Sequence, residues 1–280
     1  MLSFGIMQGR LTPSRGRGIQ FFPFENWEQE FTECAKLGLD EIEWIFDYDR
    51  YEQNPLWTEN GCARINEIIC RTKVKVNAVC FDYFMRRPFF KYQENQRAVR
   101  EENRRIFETV VNHMGLVGAS FIMVPLVDNS SLKNECEKEL AADFIGVLAD
   151  YADSRGVEVG METDLPPEVF RDFIETISRR NVYVSYDSGD SAKMGYDHSE
   201  EIMLLSSFIK HVHIKDRQLH GTTVALGCGN ADFGKVFSGL HAINYQGSIV
   251  LQAARSEDGT EKDNIKKQIA FVKKYLEKCT

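Results

Sequence analysis

No apolar run in these 280 residues approaches the ~20 needed to cross a bilayer; the longest, such as Phe121–Val127 and Ile249–Ala254, stop far short. A block of Lys or Arg is equally missing. With 34 basic against 42 acidic residues the formal charge is −8, so neutralising a phosphate backbone is not the expected task, and neither nucleic acid nor membrane is an expected partner. Met1–Arg10 has no charged segment leading into a long apolar stretch and a small-residue cleavage site, as a secretory signal would. The seven cysteines (Cys34, Cys62, Cys70, Cys80, Cys136, Cys228 and Cys279) are odd in number and contain no C-x-x-C pair. Neither a disulfide framework nor a zinc ribbon is therefore expected, and the reducing cytoplasm is the expected compartment. The signature of disorder is absent too: 43% hydrophobic and 27% charged residues make an ordinary globular composition.

What is present is an alternation. Strands of an all-parallel sheet are buried on both faces and read as short continuous apolar runs, while the helices between them carry the 3.6 period. Strands are expected at Leu2–Met7, Glu41–Phe46, Val74–Phe81, Ser120–Val127, Val157–Glu162, Val182–Asp187, Ile209–Lys215 and Ser248–Gln252. The helices are expected at Trp27–Leu37, Cys62–Arg71, Gln96–Val117, Asn134–Ser154, Pro166–Ser178, around Ser199–Leu205, at Phe233–Ile243 and at Glu261–Lys278. Strand followed by helix, repeated eight times without a low-complexity linker, predicts a single (β/α)8 TIM barrel domain over residues 1–280. A doubly wound open sheet fits less well, because no G-x-G-x-x-G turn follows the first strand.

Barrel enzymes build their sites at the C-terminal ends of the strands, so polar residues there are informative. The fifth strand ends at Glu162 (VEVGMETD), the sixth at Asp187 (VYVSYDSGD), the seventh carries His211 and His213 (IKHVHIKD), and the eighth ends at Gln252 (SIVLQAAR). Each alone also reads as a helix cap or turn former. Together they offer hard oxygen and borderline nitrogen donors, the set for one divalent ion: Mn, Mg, Co or Zn. His211 and His213 lie two apart and so share one face of their strand; His211 reads equally as a packed core histidine. Arg10 after strand one, with Arg217, Arg255, Gly227 and Gly229 after strands seven and eight, are candidate phosphate contacts, the alternative being turns and surface pairs.

The ordered motifs METD, YDSGDSAKMGYD, HVHIKD, LGCGNADF and NYQGSIVLQ, with IEWIFD and AVCFDYFMRRPF in the first half, resemble those of the xylose-isomerase-like barrels, the sugar-phosphate isomerase/epimerase superfamily. Within it they are most similar to L-ribulose-5-phosphate 3-epimerase. That resemblance implies a metal-dependent isomerase or epimerase of a sugar or sugar phosphate, in a family whose members include dimers and tetramers. It assigns Glu162 as both metal ligand and base, Asp187 and His213 as further ligands, Glu43 as a substrate contact or brace, and Lys215 as part of the H-x-K-D segment. Three positions depart from the pattern. Gln252 stands where a second glutamate is usual, Asp190 replaces the asparagine of D-x-G-N, and a histidine of the third-strand loop is replaced near Phe84.

Gln252 bears on mechanism. Epimerisation through an enediolate takes a proton from one face and returns one to the other, which asks for two acid/base groups; isomerisation can use one. An amide can ligate through its oxygen but cannot accept a proton. The expected base is Glu162, with Asp190, Asp82 or His211 as the second group if two are needed. Two other readings share the scaffold: an inosose-dehydratase-like lyase, and a metal-free sugar-binding barrel that has lost catalysis. A three-metal endonuclease is under-supplied by six histidines.

Overall fold

The computed structural model describes residues 3–91 and 96–278. Leu2, expected to open the first strand, and Cys279 lie outside the described residues. In chain order the elements are β1 (Ser3–Met7), α1 (Trp27–Lys36), β2 (Glu41–Ile45), α2 (Glu59–Thr72), β3 (Ala78–Cys80), α3 (Tyr83–Arg86), α4 (Gln96–Val117), β4 (Phe121–Leu126), α5 (Glu135–Asp153) and β5 (Glu158–Thr163). They continue with α6 (Pro167–Ile177), β6 (Val182–Asp187), α7 (Ser188–Met194), α8 (His198–Leu204), β7 (Ile209–Ile214), β8 (Asp216–Arg217), β9 (Thr223–Val224), α9 (Phe233–Ala242), β10 (Ser248–Leu251) and α10 (Glu261–Leu276). Eight strands close a parallel barrel in the order β1-β10-β7-β6-β5-β4-β3-β2, while β8 and β9 form a separate antiparallel ribbon.

The chain forms two compact units. One comprises 1–43, 72–74 and 185–280, and its core is built from Ile6, Phe31, Ile42, Val212, Ile214, Val236, Val250 and Leu251. Its strands register as Ile6 on Leu251, Met7 on Glu43, and Val250 on His213, which brings the ends of β1, β2, β7 and β10 level. The other comprises 44–71 and 75–184. An aromatic cluster fills it: Phe46 stacks on Phe81 at 5.4 Å between ring centroids, and Phe81 meets Phe84 and Phe107 edge-on. Such pairs add to the area they bury. Trp44 is fully buried there and donates its indole N–H to Asn54 Oδ1 at 2.9 Å.

Two elements differ from expectation. The third strand is three residues long and not eight, because the turn through Lys73 at positive φ and the Asn77 carbonyl, which accepts from Ser120 N and Phe121 N, leave Val74 and Val76 buried outside the ladder. A seven-residue helix, α7, intervenes directly after β6; its Ser-Gly-Asp start reads as a turn in sequence but is capped by Asp187, whose side chain accepts from Gly189 N and Asp190 N.

Candidate active site

At the level end of the first unit's strands, Glu43 of β2 is fully buried between the two histidines of β7. His211 Nε2 and His213 Nε2 each lie 2.8 Å from the same oxygen, Glu43 Oε2. The imidazoles stand edge to face, 5.0 Å apart, as their i, i+2 spacing on one strand face allows. Burial alone would raise the Glu43 carboxyl, but the charges and hydrogen bonds of His213 and His211 hold it well below the usual carboxylate range. Glu43, His211 and His213 form a group whose ligand atoms all lie within 4.8 Å of one another.

Asp187 ends β6 and begins α7. Its Oδ1 accepts from Gly189 N at 2.6 Å and Asp190 N at 3.0 Å, so the carboxylate sits on the positive end of that helix. Its Oδ2 lies 3.3 Å from Lys215 Nζ and 3.8 Å from His213 Nδ1, the latter beyond hydrogen-bond distance. Gly189 permits this approach: a Cβ there would lie 2.7 Å from Lys215 Cγ. Asp190, a candidate second acid/base group, is committed to a buried ion pair with Arg217 at 2.7 Å.

The remaining predicted residues separate into site and scaffold. Gln252 follows β10, is 6% exposed, and its Oε1 has no hydrogen-bond partner among the described residues. Glu162, buried at the end of β5, and Asp82, buried after β3 with its Oδ1 3.2 Å from Cys80 Sγ, belong to the second unit. Arg10 is scaffold: it donates to the carbonyls of Ala253 and Ile19 and to Gln20 Oε1. Arg255 donates to the Ile19 and Thr12 carbonyls and lies 4.2 Å above the Phe21 ring; burial pushes it down to about 10. The N–H groups of Gly227 and Gly229, expected to meet phosphate, donate with that of Ala231 to the buried Asp216 carboxylate at 2.9–3.0 Å. The loop thus carries its own anion.

These donors fit a divalent ion. Within the first unit, the Asp187 carboxylate, the His213 imidazole and the buried amide oxygen of Gln252 are the kinds of donor such a cation takes. The cluster of Tyr186, His198, Ser191 and Glu201 behind α7 was not anticipated. Tyr186 Oη lies 2.8 Å from His198 Nδ1, and burial, aided by Asp190 and Asp187 and opposed by a hydrogen bond to Ser191, pushes the Glu201 carboxyl up to about 8. In sequence HSEEIML reads as an ordinary acidic helix start, and nothing in it signals that Glu201 points inward.

Residues 31–275 match the family described as xylose isomerase-like TIM barrel. Over 191 residues the chain is 25% identical to an inosose dehydratase of Geobacillus thermodenitrificans (strain NG80-2), covering 58% of this chain and 64% of that protein. It therefore spans less than two thirds of the length of the curated relatives it matches. An L-ribulose 3-epimerase structure superimposes with a TM-score of 0.77 at 18% identity over 100% of this chain and 96% of that one. A 3-keto-D-glucoside 4-epimerase from E. coli does so with a TM-score of 0.73 at 18% identity, over 98% and 100%. At such identities the structural likeness is one of fold.

Proposed function

The chain belongs to the xylose isomerase-like TIM barrel family, and on that premise we propose that it is a divalent-metal-dependent isomerase or epimerase of a keto sugar, residues 1–280 acting as one domain. The observation that carries this reading lies within the first unit: Asp187, His213 and Gln252, all buried at strand ends, with Asp187 Oδ2 3.8 Å from His213 Nδ1. These three, Gln252 through its amide oxygen, would hold the ion, with Glu162 as the further ligand that the resemblance assigns. A cation held there supplies positive charge to adjacent substrate oxygens and so stabilises the developing enediolate. Glu162 takes the proton next to the carbonyl. Lys215, whose ammonium faces Asp187 Oδ2, and Glu43 orient the surrounding groups.

With Asp190 engaged by Arg217, His211 and Asp82 are the remaining candidates for a second proton-transfer group. Because the glycine-loop donors serve Asp216, and Arg10 and Arg255 serve backbone carbonyls, unphosphorylated ketoses are the first substrates to test. L-Ribulose 5-phosphate is the phosphorylated comparison.

A second reading is favoured by the curated inosose dehydratase relatives: abstraction by Glu162 followed by loss of a neighbouring hydroxyl as water. Incubation with ketoses and inososes in D2O separates the two. The isomerase reading expects a stereo- or positional isomer carrying deuterium at unchanged formula, and the lyase reading a product lighter by one water. Glu162→Gln is expected to cut exchange by about 10²–10⁴-fold; retained exchange removes it from the base role. Gln252→Glu is the companion, and unchanged turnover there would show that the amide does not set the mechanism.

A further inference from the structure

Between β1 and α1 the chain runs through residues 8–26 without helix or strand, beyond the ~12–15 residues at which a structureless loop in a compact domain usually has a task of its own. Its two flanks are fixed. At the first, the buried Glu30 carboxylate accepts from Gly9 N at 2.6 Å, Leu11 N at 3.1 Å and Thr12 Oγ1 at 2.9 Å. At the second, Phe21 and Phe22 are buried. The stretch between them is held differently. Arg15, Gly16, Gly18 and Ile19 are exposed, and a Cβ at Gly16 or Gly18 would meet nothing within 4 Å. What holds this stretch lies at the surface: Asp258 accepts from Ser14 N at 2.7 Å through Oδ1 and from Arg15 N at 2.8 Å through Oδ2. Arg15 has φ 51°, a conformation that a residue with a Cβ adopts at a cost, so the bonds to Asp258 keep the backbone where it would otherwise relax. The segment that carries Asp258 is itself anchored, because the Ala254 carbonyl accepts from Asn264 Nδ2 and Gln268 Nε2 of α10. Arg10 joins the stretch to the site. Its Nε donates to the carbonyl of Ala253, the residue after Gln252, and its two terminal nitrogens donate to the Ile19 carbonyl and to Gln20 Oε1.

We propose that residues 13–20 are a strap that opens and closes as a unit over the strand end carrying Gln252, hinged on its two fixed flanks and clipped shut by Asp258, a positioning residue. Closed, the strap buries Arg10 to 4% exposure and ties it to Ala253. Released from Asp258, it gives a ligand access to the end of β10. Two exposed N–H bonds hold a segment and still break at low cost, as a repeated opening needs.

Gating of a metal-held site rests on the function proposed above, whereas the strap itself does not. Hydrogen exchange of the full metal-free chain tests the strap. In Asp258→Ala the amides of Ser14 and Arg15 are expected to exchange about tenfold faster or more. The Gln252 amide, which donates to the Ile214 carbonyl at 3.1 Å, is expected to quicken with them, and those of Gly9 and Leu11 to keep the parent's rates. Asp258→Asn, which keeps one acceptor oxygen, is expected to fall between. Unchanged rates at Ser14 and Arg15 overturn the clip, quickening at Gly9 and Leu11 overturns a motion separate from the flank, and an unchanged Gln252 amide shows that the strap does not cover the site. With Mn²⁺ loaded, EDTA is expected to strip Asp258→Ala about tenfold faster than the parent; equal rates overturn the gating. If the parent takes up no Mn²⁺, Zn²⁺ or Mg²⁺ while the amides behave as expected, the metal-dependent function fails and the strap stands.

Discussion

At the scale of single residues, charge decides most of what this barrel end can do. Were a divalent ion held as proposed by Glu162 and Asp187, the charges would sum to zero, and Gln252 would leave the sum there where a glutamate would make it −1. A neutral cluster attracts an enediolate more than an anionic one does, but it gives up one proton acceptor. Glu201 shows a different effect of burial. Its carboxyl is raised to about 8 from 4.5, so between those values the folded chain holds a proton that the unfolded chain has lost. The sign follows from linkage: the stabilisation is fully present below about 4.5 and is lost as pH rises through about 8. Unfolding free energies from urea titrations between pH 5 and 8.5 are expected to fall with rising pH, by up to ~1.4 kcal/mol per pH unit from this group. Glu201→Gln is expected to flatten that slope, and an unaltered slope would assign it to other groups.

At the scale of elements, strands were legible because burial on both faces leaves continuous apolar runs, as in Ile209–Ile214 and Phe121–Leu126. Helices such as α6 and α10 were legible for a different reason, the apolar stripe at the 3.6 period that burial of one face leaves. The element that carries much of the site, α7, was not. Seven residues of SGDSAKM have no stripe, and what makes them helical is Asp187 at the N-cap, a contact that a sequence reading assigns equally to a turn. The glycine loop is the second case. Gly227 and Gly229 were legible as turn formers, but their N–H groups face inward onto Asp216. Asp216→Ala removes the acceptor for three donors and is expected to cost on the order of 2–3 kcal/mol. Chemical denaturation measures the loss, and hydrogen exchange is expected to quicken at those three amides; exchange as slow as in the parent would show that the loop is held from elsewhere.

At the scale of the whole molecule, closure of eight parallel strands gathers side chains from remote parts of the sequence at their C-terminal ends. A ligand bound only by the folded chain stabilises it by mass action, ~2.7 kcal/mol at one hundred times Kd. For a chain of this length that is roughly 5–10 °C in Tm. Chelation of metal-loaded protein is therefore expected to lower Tm by that amount, and His213→Ala to be insensitive to chelator; no shift in the parent would count against a resident ion. By itself the sequence determined the barrel and the residue type at each strand end, because both follow from local burial pattern and repetition along the chain. Only the tertiary structure decided who pairs with whom: that Glu43 serves two histidines, that Arg217 closes on Asp190, and that Arg10, Arg255 and the glycine amides donate within the scaffold. Each of those choices is made between groups the fold brings together through space, and the pattern of neighbours along a chain carries no record of distances across it.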